Sequence, residues 1–227
     1  MKFGVVIFPG SNCDKDMLYV LDNIFNQEVV ELWHKDKDLK GCDFIVLPGG
    51  FSYGDYLRSG ALANLSPIME KVVEHAKKGG YVMGVCNGFQ ILCESKLLPG
   101  TLLHNNNQKF ICKNQYITPI NKETIVTKNI KSNALNIPIA HAEGRYYADL
   151  KTIEDLKKNN QILFKYCDKN GNISDESNPN GSLENIAGIC NIQKNVFGMM
   201  PHPERASDND LKNIDGKAIF ESCLFNI

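Results

Sequence analysis

The stretch GYVMGVCNGFQIL, residues 80–92, passes from an apolar run to a helical pattern at one cysteine, Cys86, set between Gly84 and Gly88. The run before it, GYVMGV, is apolar throughout, as a strand buried on both faces must be. The run after it, GFQILCESKLL, has helical spacing and stops at Pro99 and Gly100. A strand that enters a helix through a tight turn is part of a βαβ unit, so the upstream chain should carry the same texture. FGVVIF (3–8) ends in Pro-Gly, and DKDMLYVLDNIF (14–25) places Met17, Leu18, Leu21 and Phe25 at helical spacing. EVVELW (28–33) and DFIVLP (43–48) are further strand candidates, and ALANLSPIMEKVVEHAKK (61–78) is helical with a break or a new first turn at Pro67. Strands alternating with helices predict an α/β fold, doubly wound, with a mainly parallel central sheet flanked by helices.

From about residue 101 the pattern changes. FICKNQYITPI, ETIVTK (123–128) and IPIAHA are short β runs separated by turns, which predicts an antiparallel extension in the C-terminal half. SDESNPNGS (174–182) is a polar loop, NIAGICN and VFGMMP are expected to form a hairpin-like pair around QKN, and a last helix is expected over 211–224. There is no repeat and no linker, so the expectation is one domain over 1–227.

The bulk numbers exclude several function classes. A chain of 227 residues with 43% hydrophobic and 22% charged residues has enough apolar mass for a core without metals or disulfides. With a net charge of −1 and scattered Lys and Arg, it lacks the basic footprint of a nucleic-acid binder. The N-terminal apolar run is too short for a secretory signal or a membrane span. The eight cysteines stand singly with no CxxC pair. A reducing cytoplasmic setting is therefore expected, with most thiols acting as small buried hydrophobes. No GxxxxGK[ST] or GxGxxG occurs, so no nucleotide-binding loop is signalled, and no metal site is expected.

Sites in open α/β sheets form at the carboxyl ends of strands. Three such ends are glycine-rich or polar: LPGGFSYGD after the third strand, GVCNGFQ after the fourth, and GMMPHPER near the C-terminus. Gly84-Val85-Cys86-Asn87-Gly88 has the G-x-nucleophile-x-G form of a nucleophile elbow, in which a helix N-terminus favours the thiolate. On the pentapeptide alone, a buried structural cysteine fits equally well. A cysteine nucleophile needs a base and a group that orients it. His202, between Pro201 and Pro203, is followed two residues on by Glu204, which in an extended segment points to the same side. His34 and His75 sit in charged contexts and are expected at the surface. The Pro48-Gly49-Gly50-Phe51 turn can present a backbone N–H to a ligand.

Taken together these motifs resemble the class I, triad-type glutamine amidotransferases, which have a flavodoxin-like sheet. The resemblance runs nearly end to end, through FPGSNCDKD (8–16), LPGGFSYGDYLRSGALA (47–63), GVCNGFQIL (84–92), LLPG (97–100), IPIAHAEGRYY (137–147) and FGMMPHPERA (197–206). It implies that Cys86 is the nucleophile, His202 the base and Glu204 its orienter, and that the backbone of Gly50 and Asn87 forms the oxyanion hole. It also implies that Gly49 and Gln90 bind glutamine, and that Gly144 and Arg145 receive its α-amino and α-carboxylate groups. The activity implied is hydrolysis of L-glutamine to L-glutamate and ammonia through a cysteinyl thioester. The ammonia would pass to a large synthetase subunit, with a small third subunit in the complex, for an ATP- and magnesium-dependent amidation in purine biosynthesis. Exposed residues of SYGDYLRSG (52–60) and HAEGRYY are expected at the docking face.

Overall fold

The computed structural model describes residues 1–224. The chain forms two compact units, one of Met1–Leu98 with Asn195–Gly198, the other of Pro99–Lys194 with the chain from Met199 onward.

The first unit is the alternating half of the sequence. Strands β1 (Lys2–Ile7), β2 (Glu28–Trp33), β3 (Phe44–Leu47) and β4 (Tyr81–Val85) lie in the order β2-β1-β3-β4. All three pairings are parallel, with Lys2 opposite Glu28, Phe3 opposite Phe44, and Leu47 opposite Gly84. The four residues of β3 are all buried, as a central strand covered on both faces requires. The edge strand β2 is largely open to solvent. Helix α1 (Asp14–Tyr19) continues into a wide turn, Val20–Ile24. The long helical pattern divides at Pro67 as expected, into α2 (Ala61–Asn64) and α3 (Pro67–Lys77). Ser66 is extended and proline takes the first helical position, where its missing N–H costs nothing. Helix α4 (Asn87–Glu94) follows β4 directly.

The second unit carries the antiparallel extension. Strand β5 (Thr101–Leu103) pairs with β8 (Arg145–Tyr147). β6 (Ile111–Pro119) pairs with β7 (Leu135–His141) and with β9 (Ile162–Tyr166), which pairs in turn with β10 (Ile186–Cys190). Along β7 the burial alternates, so Leu135, Ile137, Ile139 and His141 share the inner face. Helix α5 (Leu150–Lys158) is capped by Asp149, whose carboxylate accepts from the Thr152 N–H at 2.7 Å. β11 (Val196–Met199) begins in the first unit, where Val82 N–H donates to Asn195 O at 2.9 Å. Helix α6 (Lys217–Leu224) is shorter than the expected 211–224.

ETIVTK does not form the expected strand. Thr127 N–H and Lys128 N–H both bond back to the Thr124 carbonyl, at 3.1 and 2.9 Å, and the Thr124 and Thr127 hydroxyls meet at 2.6 Å. Ile125 and Val126 are buried by this turn, and the Ser222 hydroxyl donates to Ile125 O at 2.6 Å. Burial of β-branched side chains is satisfied here without a ladder, because strand propensity is mainly a preference for packed surroundings.

Candidate active site

In the first unit the site is built on the turn between β4 and α4. Cys86 has φ 51° and ψ −107°, a conformation that costs a non-glycine residue of order 1–3 kcal/mol. Its neighbours hold it there. A Cβ on Gly88 would lie 1.9 Å from the Leu47 carbonyl oxygen, and one on Gly84 would lie 2.5 Å from the Gly88 carbonyl. Only glycine at both positions lets α4 press against β3 and β4 this closely. Cys86 is the N-cap of α4, and its carbonyl accepts from Phe89 N–H and Gln90 N–H at 3.0 and 3.2 Å. The thiol therefore sits at the positive end of the helix, where an anion is favoured.

The surrounding loops are pinned to this turn. Asn87 is buried; its Oδ1 accepts from Ser52 N–H at 3.1 Å, and its Nδ2 donates to Gln90 Oε1 at 2.9 Å and Asp55 Oδ1 at 3.3 Å. Gly49 O accepts from Cys13 N–H at 3.3 Å, and Phe51 N–H donates to Gly10 O at 3.0 Å, which joins the loops after β1 and β3. Gly50 has φ 130°, and a Cβ there would lie 2.5 Å from Asn12 N. The loop beyond is strained at Tyr53, Asp55 and Leu57, with φ of 54°, 53° and 70°. Tyr53 OH meets His34 Nδ1 at 2.6 Å and Ser66 Oγ at 2.8 Å. His34 is thus a buried anchor rather than a surface residue, and burial pushes its pKa below the usual value. His75 is half-buried, its ring packed beside Gly80.

In the second unit His202 and Glu204 are each 1% exposed, and His202 Nδ1 lies 2.6 Å from Glu204 Oε1. The expected contact is present on a different backbone. His202 leads into a 3-10 turn, Pro203–Ala206, so the pair closes across a tight turn instead of along an extended segment. His202 N–H donates to Pro138 O at 2.8 Å, fixing the turn to β7. Nδ1–H donates to the carboxylate, so the basic lone pair of the neutral ring is on Nε2.

Gly144 and Arg145 are differently engaged. Gly144 N–H donates to Asn105 Oδ1 at 3.2 Å, and its carbonyl accepts from Asn180 Nδ2 at 2.8 Å. Arg145 Nε donates to His104 O at 2.8 Å. Asn105, at 0% exposure, also meets His141 Nδ1 at 3.1 Å. Sequence reasoning passed over Asn105, because it stands in the polar run HNNNQ, where an asparagine signals only a loop.

None of the eight cysteines forms a disulfide. Burial pushes the thiols of Cys190 and Cys223 up to about 12, and burial with the nearby Asp168 does the same for Cys167. Cys93 is pushed higher still, first by burial and then by Glu94. Cys112 is the exposed one.

A family model described as a CobB/CobQ-like glutamine amidotransferase domain matches residues 1–222. The chain belongs to the CobB/CobQ-like glutamine amidotransferase family. Within the family, the chain is 56% identical over 225 residues to the phosphoribosylformylglycinamidine synthase subunit PurQ of Koribacter versatilis, covering 99% of this chain and 97% of the relative. It is 53% identical over 228 residues to the subunit of the same name from Chlorobaculum parvum, covering 100% and 90%. Among solved structures, one chain of PurLQS from Thermotoga maritima superimposes with a TM-score of 0.84 at 40% identity, covering 99% of this chain and 97% of that one. The α/β fold and the amidotransferase resemblance read from the sequence are borne out. Among the described residues no helix is long and apolar enough to cross a membrane.

Proposed function

We infer that the chain is the glutaminase subunit of phosphoribosylformylglycinamidine synthase. It hydrolyses L-glutamine to L-glutamate and ammonia, which is used to convert formylglycinamide ribonucleotide to formylglycinamidine ribonucleotide in de novo purine biosynthesis. The observation that carries this is Cys86, held at φ 51° on the N-terminus of α4 by two glycines that admit no side chain.

The two compact units act as one amidotransferase domain over 1–227. Cys86 Sγ, as the thiolate, attacks the side-chain carboxamide carbon of glutamine. The oxyanion is received by the backbone N–H groups of Gly50 and Asn87, of which the latter is at the first turn of α4. His202 takes the thiol proton on Nε2 and returns it to the departing nitrogen, while Glu204 stabilises the imidazolium. Ammonia leaves, water attacks the thioester with His202 as base, and glutamate is released. Gly49 and Gln90 contact the substrate. Gly144 and Arg145 define the segment that receives its α-amino and α-carboxylate groups. With its guanidinium turned to His104 O, Arg145 acts by charge more than by a bidentate grip.

The partners are the synthetase subunit PurL, which binds ATP and magnesium, and the small subunit PurS, in the cytoplasm. Tyr56 and Leu57, 74% and 84% exposed on the strained 52–60 loop, are the apolar contacts offered to the synthetase. Labelling with an electrophilic glutamine analogue, followed by peptide mapping, tests the reading. Modification of Cys86 is expected; modification of the exposed Cys112 instead, or of no cysteine, overturns it.

A further inference from the structure

The reaction just described leaves the buried His141 without a task. His141 ends β7 on the inner face, 3% exposed, and its ring rests on Gly144, where an added Cβ would lie 2.3 Å from the imidazole. Asn105 sets its protonation. The Asn105 Nδ2 donates to the carbonyls of Lys109 and His141 at 2.8 and 2.9 Å, and its Oδ1 accepts from Gly144 N–H. Carbonyls only accept and the amide N–H only donates, so Asn105 cannot be flipped. The atom facing His141 Nδ1 is therefore an acceptor, and Nδ1 must carry the proton. The lone pair is on Nε2, which is buried and has no hydrogen-bond partner among the described residues. Burial, and then the neighbouring His202, push the His141 pKa down to about 4, so the ring is neutral near pH 7. A buried acceptor left without a donor costs about 1–3 kcal/mol, and a phenyl ring would fill the same space without that cost.

We propose that His141 contacts the substrate, its Nε2 lone pair accepting an N–H of the glutamine carboxamide and of the amine that leaves it. This rests on the glutaminase reading. When the tetrahedral adduct collapses, the oxyanion pair re-forms the carbonyl and the C–N pair departs on nitrogen. That nitrogen takes the proton held by His202, and ammonia is released. Its lone pair must therefore face His202 while its hydrogens point elsewhere, and an acceptor beside His202 imposes that orientation. His141 gains no proton, and as a neutral ring it does not repel the charged His202. The same lone pair repels a carboxylate oxygen, so the site favours glutamine over its product glutamate.

The test compares glutamine with glutamate γ-methyl ester, which has no N–H on its leaving group, using the chain assembled with its synthetase. His141→Phe keeps a ring and removes the acceptor. Its kcat/KM for glutamine is expected to fall roughly tenfold to a hundredfold, while ester turnover changes by less than about threefold. His141→Gln, which returns an oxygen near the position of Nε2, is expected to recover most of the amide-to-ester preference. His141→Leu serves if the phenylalanine chain does not fold. An unchanged amide-to-ester ratio, whether both rates fall or neither does, overturns the proposal and leaves His141 a packing residue. Native protein that turns over neither substrate overturns the glutaminase reading, and this proposal with it.

Discussion

Two residues carry opposite kinds of tension. Cys86 stores backbone strain at φ 51°. Glycine there should fold more stably than alanine by about 1 kcal/mol, the reverse of their usual ranking, because glycine alone has no Cβ to strain. Urea midpoints of Cys86→Gly and Cys86→Ala check this, and neither variant should consume glutamine. His141 stores electrostatic tension. Its pKa is lowered to about 4 by burial and by His202, against a free value near 6.5, so the unfolded chain binds the extra proton between those limits. Stability linked to this group is therefore complete above pH 6.5 and is lost as pH falls towards 4, by on the order of 3 kcal/mol. His141→Phe should flatten the slope of unfolding free energy against pH in that window; an unchanged slope would show that the charge is tolerated.

At the scale of elements, the contact between α4 and the strand ends depends on glycine. A Cβ on Gly88 would approach the Leu47 carbonyl to 1.9 Å, backbone against backbone, with no flexible side chain to yield. Gly88→Ala should cost about 1–3 kcal/mol and should also displace Cys86. Glutamine turnover is then expected to fall by more than the folded fraction does, measured by activity and circular dichroism on the same sample. Gly79→Ala is the control, since Gly79 has positive φ but nothing within 4 Å of the added atom, so it should lose stability without losing activity.

At the scale of the molecule, the thiols divide by environment. Alkylation by iodoacetamide near pH 8 should mark Cys112 and spare Cys93, Cys167, Cys190 and Cys223, whose buried thiols resist ionisation. Mass mapping decides it, and modification of Cys190 in folded protein would contradict it. The isolated chain should be a poor glutaminase that gains activity on adding the synthetase. In that complex, Cys86→Ala should abolish glutamine-dependent synthesis while ammonia-dependent synthesis survives. Loss of both would assign Cys86 a structural role.

Near neighbours in the chain suffice to specify much of this protein. Continuous apolar runs in β1, β3 and β4, and the change from strand to helical periodicity at Cys86, marked the parallel half, because burial on both faces leaves a pattern within a few residues. The glycines flanking Cys86 and the two-residue spacing of His202 and Glu204 are local in the same sense. Tertiary structure decided which polar groups meet. Asn105 and His141 are 36 positions apart, and Ser52 and Asn87 are 35 apart, so no short-range pattern encodes either contact. It also made His34 a buried anchor and turned ETIVTK from a strand into a turn. The physical reason is common to these cases. Hydrophobic periodicity is written along the chain, whereas a hydrogen bond or a burial site exists only once distant segments have packed against it.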